Sequence, residues 1–450
     1  KKRKIDEHDK TIPKERLQCE FFLERKQRRC AMTRRPDIKY CAEHATFLNQ
    51  NERLKLKDVR VPCPLDGTHS VWEGGLKRHL KKCQQRKLLQ EKNLKERSWF
   101  KENLNSNCDY KTDTVVNILE QEYSQDKIKK FIKEVAIPKL KFFQEEISYR
   151  QSYNYSKILN SRFEEKIDQK HILQQSSILG HLNDLSLLDK RNLFIEFGCG
   201  RAELSRYLSR SLIVDSENQN CNFNNINFAL IDRSPSRLKM DKKFVEDYRE
   251  IFPKSVKNEE NQINVQRFKI DIKDLNLDAM IQQNFPQDIH QIVGISKHLC
   301  GSATDLTLSC CFLHSNVVKE KFGGMLIAMC CRHSCSYDDL LPDSKKYLME
   351  NFQVDKTIFD IVLKKLTSWA TCGGIEGKSI PCENSDEDKV KFTNTHFSGL
   401  DYLERLEIGL FCRRIIDESR KFALTKMGYN VELINYCQRE VSLENQCMII

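Results

Sequence analysis

Five short strand-like segments recur between residues 190 and 330, each followed by a stretch with other spacing, and this alternation restricts the fold more than any other feature of the chain. Leu193–Phe197 is the first run, broken at once by Gly198-Cys199-Gly200 and then by a helical run through Leu204, Tyr207 and Leu208. Residues 228–232, 265–270, 289–295 and 325–329 are the next four. Further on, 404–427 has helical spacing, and 430–436 and 446–450 read as closing strands. Strands that alternate with helices must be covered on both faces, which predicts a wound α/β sheet with helices on both sides.

The residues at the predicted strand ends define a candidate site. Glu196 to Leu204 spells E-x-G-x-G-x-x-x-L, in which Gly198 and Gly200 let the backbone turn tightly and approach a ligand. A glycine pair is also used by dinucleotide enzymes, but their third glycine is replaced here by Glu203. Glu196 precedes the loop and can orient a ligand or the loop amides. Asp232 ends the second strand, placed for ribose hydroxyls, and Asp271 ends the third, placed for an adenine amino group. Alone, each Asp reads equally as a helix N-cap. Together the three acidic strand ends favour S-adenosylmethionine and a Rossmann-like methyltransferase sheet. The fourth run leads into Ser296-Lys297-His298-Leu299-Cys300-Gly301-Ser302-Ala303-Thr304-Asp305-Leu306, and the fifth into Cys330-Cys331-Arg332-His333-Ser334-Cys335. Ser368-Trp369-Ala370-Thr371-Cys372-Gly373 follows. Cys330, Cys331, Cys335 and Cys372 could bind a further metal; packed, inert thiols are the favoured reading, because Cys is among the most buried residue types.

The 450 residues suit two or three domains, and the first hundred differ from the rest. They hold 27 Lys and Arg against 14 Asp and Glu, whereas the remainder holds 48 against 50. A basic block of this kind attracts phosphate backbones; the bland alternative is a solvated arm. Within it, Cys63, His69, His79 and Cys83 give C-x5-H-x9-H-x3-C, with His79 and Cys83 one helical turn apart, so that both face the same way. Two thiolates and two imidazoles predict a closed structural zinc site. Cys19, Cys30, Cys41 and His44 give a looser C-x10-C-x10-C-x2-H, surrounded by Arg25, Lys26, Arg28, Arg29, Arg34 and Arg35. The expected organisation is a CCCH-type zinc module at 11–48, a CHHC-type finger at 59–85, a helical linker or RNA-contacting region at 86–180 and the α/β domain at 181–450. The 19 Cys without a secretory signal fit zinc and free thiols in a reducing compartment, nucleus and/or cytoplasm; Lys1-Lys2-Arg3-Lys4 reads as an import patch. No run approaches the roughly 18 apolar residues of a membrane span, and no obligate protein partner is indicated.

The K-H-L-C-G-x-A-T-D-L run, C-C-x-H-x-C and W-A-T-C-G, preceded by a CCCH and a CHHC module in that order, resemble the eukaryotic tRNA 2′-O-methyltransferases that modify the fourth nucleotide of the acceptor stem. The resemblance extends from about Cys19 to the closing strand. It departs at the second motif, where the family pattern is C-C-H-H-R-C and this chain has Arg332 and Ser334. The resemblance implies S-adenosylmethionine and zinc as cofactors and the tRNA acceptor stem as partner. A ribose hydroxyl needs a base, or a cation for its alkoxide, which nominates Lys297 and His298, with His333 as a third candidate. The same residues could instead hold the loop and a phosphate. Competing readings are a non-catalytic RNA-binding adaptor that keeps the fold, a methyltransferase acting on protein, and an NAD-dependent enzyme, which Glu203 disfavours.

Overall fold

The computed structural model describes residues 17–24, 27–34, 36, 38–41, 44, 47, 60–106, 118–152, 162, 169–214, 226–234, 240–251, 263–371 and 396–450. The leader 1–10, Arg25, Lys26 and Arg35, residues 216–225 of the Asn-rich segment 216–227 that reads as a loop insertion, Cys372 and the polar, acidic segment 383–395 that reads as an exposed loop lie outside these residues. The chain forms two compact units, Lys1–Arg97 and Ser98–Ile450.

In the first unit, Phe22–Leu23 pairs antiparallel with Arg28–Arg29, and Arg60–Cys63 pairs antiparallel with Asp66–Trp72. A short helix, Leu76–Leu80, and a longer one, Gln84–Lys95, follow. Burial in this unit centres on thiols: Cys19, Cys30, Cys41, Cys63 and Cys83 are each at most 5 % exposed, as is Ile38, and Phe21, Leu23 and Tyr40 pack against the first three.

The second unit is built on one eight-stranded sheet. Its elements in chain order are α1 (Ile118–Phe131), β1 (Ser148–Tyr149), α2 (Gln169–Asp184), β2 (Leu193–Phe197), α3 (Glu203–Val214), β3 (Asn227–Asp232), α4 (Asp241–Ile251), β4 (Asn264–Lys269), α5 (Leu277–Asn284), β5 (Ile292–Cys300), α6 (Ser302–Leu308), β6 (Phe322–Cys330), α7 (Pro342–Phe352), α8 (Tyr402–Lys426), β7 (Glu432–Asn435) and β8 (Gln446–Ile449). The strand order is β1-β7-β8-β6-β5-β2-β3-β4. The run β6-β5-β2-β3-β4 is parallel throughout, and β8 enters antiparallel between β6 and β7. Leu193, Ile195, Ala229 and Ile231 pack into one apolar cluster, and Phe194, Phe228, Leu230 and Val293 into the cluster on the opposite face. This double burial explains why these strands are continuous apolar runs rather than alternating ones. A third cluster joins α1, α7 and α8 around Phe352, Phe359, Phe411 and Ile415. Among the described residues no helix is long and apolar enough to cross a membrane.

Residues 98–106 pack with the sheet unit: Phe100 bridges to Leu275, and the Asn105 amide donates to Ile272 O and Leu275 O at 2.6 and 2.8 Å. The strand expected to stop at residue 295 instead runs to Cys300. Ile327 pairs with Ser296, but Met329 pairs with Leu299, so β5 carries one more residue than β6 across Lys297 and His298. This is a β-bulge, which keeps the ladder going while re-aiming the side chains at the insertion.

Candidate active site and metal centres

The order of strands reverses at β2. From there the chain winds outward one way through β3 and β4 and the other way through β5 and β6, so the crevice above β2 and β5 is a topological switch point. The loop after β2 forms one wall. Gly198 and Gly200 have φ of 66° and 47°, a left-handed region that suits glycine, and Ala202 follows at 63°. A Cβ on Gly198 would stand 3.2 Å from a Leu299 methyl and 3.7 Å from His298 O, so this loop lies against the bulged end of β5. A Cβ on Gly200 would meet nothing within 4 Å.

Each acidic strand end has a defined partner. Glu196 is buried beneath the loop and accepts from Ser205 N–H at 3.2 Å and the Ser205 hydroxyl at 2.5 Å, so it fixes the first turn of α3. Burial pushes its carboxyl from 4.5 up to about 7, against the pull of the Ser205 hydrogen bonds. Because this acid is raised on folding, its own contribution to stability is complete below pH 4.5 and is lost as pH rises through about 7. The span corresponds to roughly 3 kcal/mol. Glu196→Gln is expected to flatten that part of the stability-versus-pH curve; parallel curves for parent and variant in melts from pH 4.5 to 7.5 would refute it. Asp232 accepts from Gly200 N–H at 2.8 Å and Ser234 N–H at 2.7 Å, tying the glycine loop to the end of β3. Asp271 caps a 3-10 turn through Lys273 N–H at 3.2 Å and faces Arg233 at 3.8 Å. The N-cap reading of this Asp therefore holds alongside its place at a strand end. Arg267 was not anticipated from sequence. It makes a bidentate pair with Asp241 and donates to Gly200 O at 2.8 Å and Cys199 Sγ at 2.9 Å, clamping the loop from β4.

The bulge presents Lys297 and His298. Lys297 Nζ lies 2.7 Å from His171 Nδ1 on α2, and the His171 and His298 rings are 6.4 Å apart. His171 is 126 residues from Lys297 and belongs to no local motif, so only the fold reveals it. Although solvent reaches His298, withdrawal from bulk water, together with the charge of Lys297 and the nearby His171, pushes its pKa down to about 4. The shift keeps the imidazole neutral at physiological pH and makes it a weaker base than an ordinary histidine. His333 is exposed on the 3-10 turn after β6. That turn packs on the β5 loop: a Cβ on Gly301 would collide with Ser334 at 2.2 Å, and Ser336 N–H donates to the Ser302 hydroxyl at 2.8 Å.

Two motif residues are structural fasteners. Arg332 is 1 % exposed and binds Asp417 on α8 through Nη2 at 2.7 Å, Glu444 at 2.8 Å and Met329 O at 2.7 Å. Asp305 is bidentate with Arg420 at 2.8 and 2.7 Å, and Arg420 also binds Asp417 at 3.0 Å and Cys335 Sγ at 3.1 Å. Both motif loops are therefore held by α8 through one buried ionic network. A residue so placed cannot reach the crevice, which gives Arg332 a role that its departure from the family pattern leaves open.

In the first unit each predicted ligand set converges. The Cys19, Cys30, Cys41 and His44 ligand atoms lie within 4.8 Å of one another, as do those of Cys63, His69, His79 and Cys83. Cys30–Cys41 and Cys63–Cys83 sulfurs are 3.9 Å apart, Cys41–His44 is 3.3 Å and Cys63–His79 is 3.2 Å. These edges approach the roughly 3.3–3.8 Å expected around a tetrahedral zinc with bonds of 2.0–2.3 Å, and both donor sets fit zinc.

Three family models match the chain: a CCCH zinc finger in TRM13 protein at 17–45, a U11-48K-like CHHC zinc finger at 60–84 and Methyltransferase TRM13 at 173–450. A Debaryomyces hansenii protein named tRNA:m(4)X modification enzyme TRM13 is 39 % identical over all of this chain and 94 % of its own length. Proteins of the same name from Scheffersomyces stipitis and Saccharomyces cerevisiae are 40 % and 36 % identical, covering 95 % and 97 % of this chain and 98 % and 96 % of their own. No solved structure matches. With the methyltransferase model matched over residues 173–450 and similarly named relatives aligned along nearly their whole length, the chain belongs to the TRM13 methyltransferase family.

Proposed function

We propose that this chain transfers the methyl group of S-adenosylmethionine to a ribose 2′-hydroxyl of tRNA, at nucleotide 4 of the acceptor stem. The observation that carries the reading is the bulge in β5, which delivers Lys297 and His298 beside the glycine loop at the switch point of the sheet. The strand order, with one antiparallel strand inserted next to the last parallel one, supports a Rossmann-like methyltransferase sheet. The residues present suit the methyl donor: open space over Gly200, a carboxylate at the end of β3 for ribose hydroxyls and Asp271 at the end of β4. When bound, S-adenosylmethionine supplies an electrophilic methyl group. The chain's own residues supply the rest. The neutral His298 imidazole takes the hydroxyl proton, the Lys297 ammonium stabilises the developing alkoxide, and His171 holds Lys297 in place. Holding the oxygen in line for attack is the larger share of the rate gain. The relatives' names and the basic first unit support tRNA as the substrate.

The test is incubation with radiolabelled S-adenosylmethionine and total tRNA, followed by nuclease digestion. Label in a 2′-O-methyl nucleoside from position 4 supports the reading. Label only in a base, only in protein or nowhere overturns it, the last leaving an RNA-binding adaptor. The zinc modules are assigned to tRNA binding. A structural zinc contributes on the order of 10 kcal/mol to folding a unit this small, so Cys63→Ser with His79→Ala should unfold the finger. The expected result is at least tenfold weaker tRNA binding with unchanged affinity for the methyl donor, read by filter binding and calorimetry. Equal tRNA affinity in variant and parent would free the finger from that role.

A further inference from the structure

Cys300, Cys330 and Cys331 form a thiol cluster that neither the zinc modules nor the Lys297–His298 site uses. Their sulfurs lie within 4.8 Å of one another, the same measure that unites the ligands of the two N-terminal modules. Cys300 and Cys330 end neighbouring parallel strands and face each other in register. On a regular strand Cys331 would point to the opposite face from Cys330. Its backbone is left-handed instead, with φ of 48°, a conformation that disfavours a residue with a side chain by roughly 1–2 kcal/mol. Beside it, Gly301 takes φ of 56° and donates to Cys330 O at 3.3 Å. The two strand ends thus turn so that three sulfurs meet, with Cys330 buried, Cys331 half-buried and Cys300 exposed.

We propose that Cys300, Cys330 and Cys331 hold a third zinc-class cation, with the fourth coordination position open to solvent. Three thiolates select a soft or borderline ion over magnesium or calcium, and three protein ligands with a free position distinguish this centre from the closed four-ligand modules. The loop carrying two of the ligands is anchored without the metal: Glu444 accepts from Cys331 N–H at 3.1 Å and pairs with Arg332 and Arg413. Cys300 and Cys330 sulfurs stand 2.8 Å apart, closer than the roughly 3.8 Å of two thiolates on one tetrahedral ion. Cys300 sits at the open side, and rotation of its side chain supplies the difference. The proposal does not depend on which reaction the neighbouring site performs.

The experiment is metal analysis of the full chain, purified under reducing conditions, equilibrated with zinc alone and freed of excess. The parent should hold three zinc ions, Cys300→Ser with Cys331→Ser two, and the same pair combined with Cys63→Ser and His79→Ala one. Peptide mapping after alkylation of the parent should show Cys300 and Cys331 protected by zinc and released by a chelator, a readout that needs no variant to fold. Two zinc ions in the parent, with Cys300 and Cys331 alkylated regardless of zinc, would overturn the proposal. A Cys300–Cys330 disulfide persisting in the reduced protein would overturn it equally.

Discussion

Lys297→Met is expected to lower kcat by roughly 10²–10³-fold, the effect of removing one preorganised group from a developing oxyanion. The residue sits where the bulge in β5 turns it out of the ladder, with His171 2.7 Å from its Nζ. A Met side chain preserves most of the length and packing of the stem, so the sheet should melt as before. If Lys297 acts on the alkoxide, the loss falls on kcat in single-turnover assays with both substrates saturating, and KM for tRNA changes little. If it contacts a phosphate instead, KM rises, kcat holds and the salt dependence of tRNA binding loses about one charge. The second pattern would remove Lys297 from the chemistry. Lys297→Arg keeps the charge but replaces a compact ammonium by a planar fork, and should rescue only part of the rate.

The largest expected loss of stability comes from Asp417→Ala. Asp417 lies on α8, fully buried, and receives both Arg332 and Arg420. Removing it leaves two buried guanidinium groups each short of a partner, although Glu444 and Asp305 remain. Breaking one such buried pair destabilises by about 3–5 kcal/mol. Denaturant unfolding should show a loss of that size. A loss below about 1 kcal/mol would mean that water or a neighbouring carboxylate compensates. Replacing Asp305, Asp417, Arg332 and Arg420 together by Leu, Leu, Met and Met should recover much of the loss, since apolar residues of similar volume often match a buried ionic cluster and no buried carboxylate is then left alone, Glu444 keeping Arg413.

The parts of this architecture that depend on local chemistry were readable in the chain. Seven strands and the helix α8 stand within a few residues of the segments that predicted them, and the central strands were plainest because a strand buried on both faces is written as an apolar run. The CHHC module was equally open to reading from spacing and residue type, whereas the looser CCCH set gained its weight from the motif order and its ligands meet only in the fold. What escaped depends on pairing between distant segments. The bulge at Lys297 and His298 exists only in the register of β5 against β6, and a sequence read strand by strand ends β5 at residue 295. His171 and Arg267 reach the site from elements that carry no motif. Arg332 and Asp305 sit inside motifs, and their partners on α8 show that motif residues serve to fasten loops as well as to react. Cys300 entered no ligand set from sequence because its companions lie one strand away.

The extra residue in β5 sets regularity against chemistry. Deleting one residue there would let the ladder run regularly from Gly324 to Cys330, and the core beneath it would scarcely notice, since the flanking partners Ser296 and Leu299 already pair with β6. Such a protein should withstand heat at least as well as its parent while doing nothing to its substrate. If Lys297 and His298 act as proposed, the irregularity is a place where selection for activity, rather than for folding, holds the chain in its form.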